Sequence, residues 1–340
     1  MWSLGVTLGR ILIEQQDQAR EGNGEFTMLL FQIATAGKII SNEMRRAGLA
    51  GLTGSTGEVN VQGEVVKKLD QLTNSVFVQV MEDSRLVCQV VSEEMEEARN
   101  VGGNCAGRQY SVLVDPLDGS SNADINGVTG TIFSVYRRLD PTAEGTSGED
   151  LLRKGSEQVA AGYVMYGPST ILVYTSGEGV NGFTLEPSVG EFILSHQDIR
   201  MPTRGTMYAI NHGNRAHWFP STEKLVDHFS QLDDSTHRPY SQRWVGSLTA
   251  DFHRILLEGG LYLYPGDKRR PCGKLRLLYE CAPLAWVAEQ AGGKASTGKE
   301  RILDIQPTEL HQRVPLIIGS QEDVALAERF LQKEIAATET

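Results

Sequence analysis

Asp115 and Asp118 lie three residues apart in Val114-Asp115-Pro116-Leu117-Asp118-Gly119-Ser120-Ser121-Asn122, directly after the apolar run Tyr110 to Val114. That run reads as a buried strand. At a strand end, two carboxylates can face a divalent cation, and the backbone N–H groups of Gly119, Ser120 and Ser121 can cradle a phosphate beside it. A cation and a phosphate held together is the chemistry of a phosphoryl-group enzyme. The same string also fits a plain Asp-Pro and Asp-Gly turn, so the rest of the chain has to decide.

Glu93 and Glu94 end a second apolar run, Leu86 to Val91, and Glu280 stands near the other end of the chain. Carboxylates at the end of a strand occupy a favoured place for α/β active sites. Magnesium prefers hard oxygen ligands, and two ions bridged by shared carboxylates can clamp the attacking and leaving oxygens of an in-line displacement. Met95-Glu96-Glu97 follows, so this stretch also fits a solvated acidic face. Lys274-Leu275-Arg276 would put two cations on one side of a strand, useful for an anionic ligand, though an exposed strand face has the same pattern. None of the seven histidines forms an HExxH or triad signature, and His253 and His311 read as structural.

The elements that must position these groups alternate. Phe26, Leu29, Leu30, Ile33, Gly37, Ile40 and Met44 recur at helical spacing. Residues 48–63 hold five glycines and read as a mobile loop, followed by a helix carrying Glu64, Lys67, Lys68 and Asp70. Ser84 to Val91 reads as a strand, 95–109 as an exposed loop, and 131–136 and 159–175 as strands. Beyond a boundary near 195–200 come a strand at Met207 to Ile210, a helix around Lys224 to Phe229 and a strand at Leu261 to Tyr264. A helix from Pro283 stops at Gly292-Gly293, and a last one follows the capping-box pattern at Ser320. The alternation argues for α/β layering.

At 340 residues, with 40% hydrophobic and 22% charged residues, the chain has room for two domains. The net charge is −11 with no Lys/Arg block, so nucleic acid is not expected as a partner. No apolar run is long enough to span a bilayer, so neither is a membrane. The N-terminus shows no secretory signal or transit-peptide pattern. Cys88, Cys105, Cys272 and Cys281 lack metal-site spacing; Cys88 reads as a buried free thiol, and a reducing compartment fits best.

Several stretches in one order resemble the fructose-1,6-bisphosphatases over nearly the whole length. They are Val66 to Asp70, Val91-Ser92-Glu93-Glu94, Asp115 to Asn122, Gly130 to Phe133, Ala161-Gly162-Tyr163, Val245-Gly246-Ser247, Leu263-Tyr264-Pro265 and Gly273 to Cys281. The Lys274 to Glu280 match separates this family from inositol monophosphatase relatives. The resemblance implies a layered α/β/α/β/α sandwich of the sugar phosphatase type, with an N-terminal α/β domain over 1–197 and a C-terminal one over 198–340. It implies Mg²⁺-dependent hydrolysis of the 1-phosphate of fructose 1,6-bisphosphate, with two or three ions per site and Mn²⁺ or Zn²⁺ as substitutes. It also implies a homotetramer serving gluconeogenesis, the Calvin cycle or sucrose synthesis.

By matching positions, Glu93, Asp115, Asp118, Glu280 and the Leu117 carbonyl would hold the metals, with Glu64 helping at a further position. Asp70 and Glu94 would orient and deprotonate the attacking water. Gly119, Ser120, Ser121 and Arg276 would meet the 1-phosphate. Asn211, Tyr264 and Arg243, the last from a neighbouring subunit, would bind the 6-phosphate, and Lys274 would contact the sugar as well. Trp244 and Asn214 stand where relatives commonly carry Tyr, so weaker 6-phosphate binding is expected. An AMP site of animal relatives would map to Asn23, Gly24, Glu25, Thr27, Tyr110 and Arg137. Gln109 there replaces a family lysine, so poor AMP sensitivity is expected. Asn60 to Glu64 resembles plastid-type members, yet 139–157 lacks their regulatory cysteines. A redox-insensitive enzyme of the chloroplast stroma is therefore expected, with the cytoplasm as the alternative. Sedoheptulose 1,7-bisphosphatase or dual activity is the close alternative, and a catalytically weak sugar-phosphate sensor the distant one.

Overall fold

The computed structural model describes residues 5–18, 24–59, 65–145 and 148–338. The chain opens with helices α1 (Leu8–Gln18) and α2 (Glu25–Arg46), the short strands β1 (Ser55–Val59) and β2 (Val65–Lys67), and helix α3 (Lys68–Ser84). Strands β3 (Val87–Ser92), β4 (Arg99–Asn100) and β5 (Tyr110–Asp118) follow, then the single turn α4 (Ser120–Ala123). Strands β6 (Thr129–Arg137), β7 (Ala160–Tyr166), β8 (Thr170–Thr175), β9 (Asn181–Glu186) and β10 (Glu191–His196) complete an eight-stranded sheet of order β10-β9-β8-β7-β6-β5-β3-β4. Within it β3 and β5 run parallel and the other pairs antiparallel.

The second half holds β11 (Met207–Ala209), α5 (Pro220–Ser230), β12 (Ser241–Gln242), α6 (Leu248–Glu258), β13 (Leu261–Tyr264) and β14 (Leu275–Arg276). A π-helical turn (Leu277–Cys281) leads into α7 (Ala282–Gln290), then β15 (Lys294–Ser296), β16 (Arg313–Val314), β17 (Leu316–Gly319) and α8 (Gln321–Thr338). Five of these strands form a sheet of order β12-β11-β13-β17-β15.

Three apolar cores stack these elements into layers. One packs α1, α2 and α3 on one face of the large sheet through Leu29, Leu30, Ile33, Phe77 and Val112. A second lies between the sheets: Ile132, Tyr163 and Val173 meet Phe252 and Ile255 of α6, Leu284 and Val287 of α7, and Ile318. A third seats α5 and α8 on the outer face of the small sheet through Leu225, Phe229, Leu263 and Val324. The result is the α/β/α/β/α sandwich. It explains why β5 and β6 are buried along almost their whole length, since each has helices on both faces. Each fully buried Leu, Ile or Phe in these seams contributes about 1.5–3 kcal/mol from its transfer out of water.

Five local expectations need correction. Residues 48–63 are not loop throughout, because Ser55–Val59 forms β1 and pairs with β2. Helix α3 begins at Lys68, which leaves Lys67 at the end of β2, and Glu64 lies outside the described residues. Ser84 ends α3 and Arg85 turns the chain at φ 59°, so β3 begins only at Val87. Helical side-chain spacing running up to Met81 carried the chain further than the apolar run suggested. Cys88 is buried but not a free thiol: it is joined to Cys105. Residues 95–109 are accordingly not a plain exposed loop, because Val101 and Cys105 are buried. The buried Arg138 binds the carbonyls of Cys105 and Gly145 at 2.8 and 2.6 Å, and Arg108 binds that of Val87 at 2.8 Å.

Candidate active site

In a regular strand, residues three apart point to opposite faces. Asp115 pairs with Ile132 and Asp118 with Gly130, so three steps on β5 match two on β6. This bulge sits at Pro116-Leu117, where proline cannot donate to the ladder. It turns both carboxylates into the same cavity. The Thr131 hydroxyl donates to the Pro116 carbonyl at 2.8 Å and holds the bulge from β6.

The next residue, Gly119, has φ 71°, and a Cβ there would lie 2.6 Å from Ser247 Cβ. Glycine is required by conformation and by space. The approach lets Asp118 reach the start of α6: its carboxylate accepts from Ser247 Oγ at 2.6 Å and from the N–H groups of Leu248 and Thr249 at 3.1 and 2.7 Å. A carboxylate is favoured at a helix N-terminus. Asp251, one turn on, accepts from the N–H groups of Val245 and Gly246 at 2.9 and 3.0 Å and so shapes the chain before the helix.

A cavity of about 500 Å³ opens at this junction. Its walls bring together Asp70, Glu93, Glu94, Asp115, Leu117, Asp118, Gly119, Ser120, Ser121, Asn211, Trp244, Tyr264, Lys274, Arg276 and Glu280. Each of these comes from the sequence reading, and they span both halves of the chain. Two expected residues lie outside it. Arg243 is exposed, and Asn214 is a neighbour of Asn211 and Tyr264 whose amide oxygen accepts from Arg269 at 3.0 Å.

Burial and mutual repulsion dominate the electrostatics. The Asp115 carboxyl is held well above the usual range by burial and then by the charges of Glu93, Asp118 and Glu280. Glu280 is pushed up to about 8, again by burial first and Glu93 next. Asp70 rises to about 6 because it is buried, although the Lys67 N–H and the Ser120 side chain pull it back. Arg276 partly offsets this crowd: its guanidinium meets Glu93 at 2.9 Å, while its N–H donates to Glu280 at 2.6 Å.

Buried acids that repel one another present an all-oxygen donor set, which suits hard divalent cations. The residues present therefore fit such ions. Among the described residues, no group of three acids, thiols or imidazoles stands ready-made as a ligand cage; Glu93 is turned onto Arg276.

Sequence reasoning missed the supporting residues. Lys67 Nζ binds the Ser120 carbonyl at 3.1 Å and Asp124 at 2.5 Å, tying the start of α3 to the phosphate-type turn. Tyr262 backs the expected Trp244, with ring centroids stacked 5.9 Å apart. Ser247, Thr249 and Asp251 carried no chemical signature, and only a pattern of helix capping before α6 could have pointed to them.

The residues mapped to an AMP-like site gather elsewhere. Tyr110 and Arg137 pair across β5 and β6, Tyr110 bonds Arg137, and Glu25 lies close enough to act on Tyr110. Gly24 caps α2 at φ 79°, Thr27 is buried on that helix, and Gln109 precedes the strand. Asn23 lies outside the described residues.

A profile for the N-terminal domain of fructose-1,6-bisphosphatase matches residues 6–197, and one for its C-terminal domain matches 201–332. Among solved structures, fructose-1,6-bisphosphatase from Leishmania major in its holo form is 40% identical with a TM-score of 0.89, covering 96% of this chain and 99% of that one. Its apo form matches with the same identity and coverage and a TM-score of 0.84.

Proposed function

The chain belongs to the fructose-1,6-bisphosphatase family and is an enzyme of that class, and we propose that its acidic cavity hydrolyses the 1-phosphate of fructose 1,6-bisphosphate with divalent cations, Mg²⁺ first among them. The observation that supports this most is the cavity that gathers buried carboxylates from both halves of the chain, a glycine-led turn from the first and the cations Lys274 and Arg276 from the second.

Glu93, Asp115, Asp118, Glu280 and the Leu117 carbonyl are the groups that would hold the metals. When bound, such cations polarise phosphoryl oxygens and acidify coordinated water. The N–H groups of Gly119 and Ser120, with Ser121 and Arg276, neutralise and orient the 1-phosphate. Asp70 and Glu94 orient the attacking water, and one of the two carboxylates takes its proton. The water oxygen bonds to phosphorus as the bond to the sugar C1 oxygen breaks; that oxygen takes up a proton from solvent in the cavity and leaves as the alcohol, and the carboxylate then returns its own proton to solvent, giving fructose 6-phosphate and inorganic phosphate. Positioning and charge neutralisation are what phosphoryl transfer needs. Asn211, Tyr264 and Lys274 hold the far end of the sugar. Arg243, which lies outside this cavity, would serve a neighbouring copy in a homotetramer.

The test is phosphate release from fructose 1,6-bisphosphate and from sedoheptulose 1,7-bisphosphate, with Mg²⁺ and with a chelator. Fast, chelator-sensitive release from the six-carbon sugar is expected. Preference for the seven-carbon sugar would move the substrate assignment, and no release from either would overturn the reading. Light scattering that returned a monomer fully active at all concentrations would remove the role given to Arg243.

A further inference from the structure

The turn that carries Glu93 and Glu94 lies beyond the hydrogen-bonded ladder of β3 and β4, which pairs only Gln89 with Asn100 and Val90 with Arg99. Its N-terminal side is fixed locally. Glu93 N–H donates to the Val114 carbonyl at 3.1 Å, Met95 N–H to that of Ser92 at 3.2 Å, and Glu94 N–H to Ser92 Oγ at 3.3 Å. Its C-terminal side meets a residue 215 positions away: His311 Nε2 lies 3.1 Å from the Glu96 carbonyl oxygen. On its other edge, His311 Nδ1 lies 2.8 Å from the Tyr279 hydroxyl.

A carbonyl can only accept, so Nε2 carries the hydrogen. In the neutral ring Nδ1 is then an acceptor, and the Tyr279 hydroxyl donates to it. Both ring nitrogens are satisfied in one tautomer and one orientation. Tyr279 is fully buried, packs its ring edge-on to His311 and immediately precedes Glu280 on the π-helical turn. The platform beneath is apolar and rigid: Val91, Leu113, Tyr136, Leu278 and Tyr279 cluster there, with Leu310 and Ala98 against them.

We propose that His311 is a positioning residue. With Tyr279 it clamps the Glu93–Glu94 turn, contributed by the first half of the chain, to the Glu280 turn contributed by the second. The spacing of the carboxylates, which repel one another, is thereby held by this hydrogen-bond frame together with Arg276, which meets Glu93 and Glu280 directly. The inference deepens the hydrolase reading and rests on it for the roles of Glu93, Glu94 and Glu280.

The experiment compares His311→Phe, His311→Gln, His311→Asn and Tyr279→Phe with the parent chain in kcat, KM, melting temperature and amide hydrogen exchange over residues 94–98. His311→Phe keeps a ring and loses both bonds. It is expected to lower kcat about tenfold, leave KM within twofold, keep the melting temperature within a few degrees and speed exchange in the turn. A glutamine nitrogen reaches roughly where Nε2 was, so His311→Gln should recover most of kcat. An asparagine matches only Nδ1 and should not. Unchanged kcat and exchange in His311→Phe would overturn the clamp. So would a loss of kcat that tracks melting temperature and that glutamine fails to restore. If the parent chain releases no phosphate while exchange in the turn still quickens in His311→Phe, the hydrolase reading falls and the clamp stands.

Discussion

The two ends of strand β5 are built on different terms. At the Asp118 end, the chain bulges, a glycine turns it at positive φ, and the carboxylate is seized by the start of α6 from the other half of the molecule. At the Tyr110 end, on the order of 25 Å away along a nine-residue strand, neighbours in sequence and in the same sheet do the holding. Cys105 is joined to Cys88 of the adjacent strand, and Arg108 and Arg138 gather backbone carbonyls. One end assembles charges that repel; the other is covalently and locally tied, and Glu25 and Arg137 both act on Tyr110 with opposite sign. The residues proposed for the reaction sit where distant segments must meet, and the covalent tie sits where they need not.

The sharpest way to break this contrast is to neutralise the Asp118 end. Glu280→Gln should lower kcat by about 10²–10³, the scale on which a single electrostatic stabiliser acts, with the fold intact by circular dichroism. Retention of more than a tenth of the activity would mean that the acidic cavity is not where the reaction runs.

At the opposite end, the Cys88→Ser/Cys105→Ser double variant should be destabilised by about 3 kcal/mol, the entropy of a cross-link closing a loop of this size. Its kcat should stay within twofold of the parent's. A denaturant midpoint that does not move, or a kcat that collapses, would erase the division between the two ends. The same outcome bears on redox behaviour: reduction by a dithiol is expected to lower stability without raising activity.

Proton linkage discriminates next. Asp70 must be ionised to accept a proton, and burial raises it to about 6. Activity should therefore fall about tenfold per pH unit below 6. The sign for stability is opposite: with a folded value above the unfolded one, this group favours the fold as pH drops through that window. A flat rate profile down to pH 5 would remove Asp70 from the mechanism. Asp115 and Glu280 are likewise raised, so Mg²⁺ should displace protons from them. Calorimetry in buffers of different ionisation enthalpy would show net release near pH 7; none would argue that these acids are not the ligands.

The smallest effect belongs to the Tyr110 end. Low-micromolar AMP should inhibit weakly or not at all, and Gln109→Lys should raise AMP sensitivity several-fold by restoring a cation. Strong inhibition of the unaltered chain would show that the site does without the cation that Gln109 replaces.

Much of this was legible in the residues. Strand β5 and helix α2 follow from apolar runs and helical spacing, and fifteen of the residues that line the cavity from the order of the motifs and the family resemblance they carry. What escaped was support. Ser247 and Asp251 look like ordinary helix-start residues until Asp118 and the Val245 N–H group arrive beside them, and Lys67 looks like a solvated helix charge until it reaches Ser120. Cys88 read as a lone buried thiol because a partner seventeen residues on, in a loop of no regular pattern, is visible only in space. His311 read as structural, and its bonds agree; what it joins was not legible, because Glu96 and Tyr279 are far from it in the chain.

The sequence by itself determined which residue types stand at the ends of which strands, because short-range periodicity and turn chemistry are written in neighbouring residues. Only the tertiary structure decided that Asp115 and Asp118 share a face, that Glu93 rests on Arg276, and that His311 meets the Glu96 carbonyl and Tyr279. Those facts depend on a bulge, on packing between sheets and on contacts across as many as 215 positions. No local pattern encodes them, since the free energy that fixes them comes from burial and hydrogen bonds formed only when the layers close.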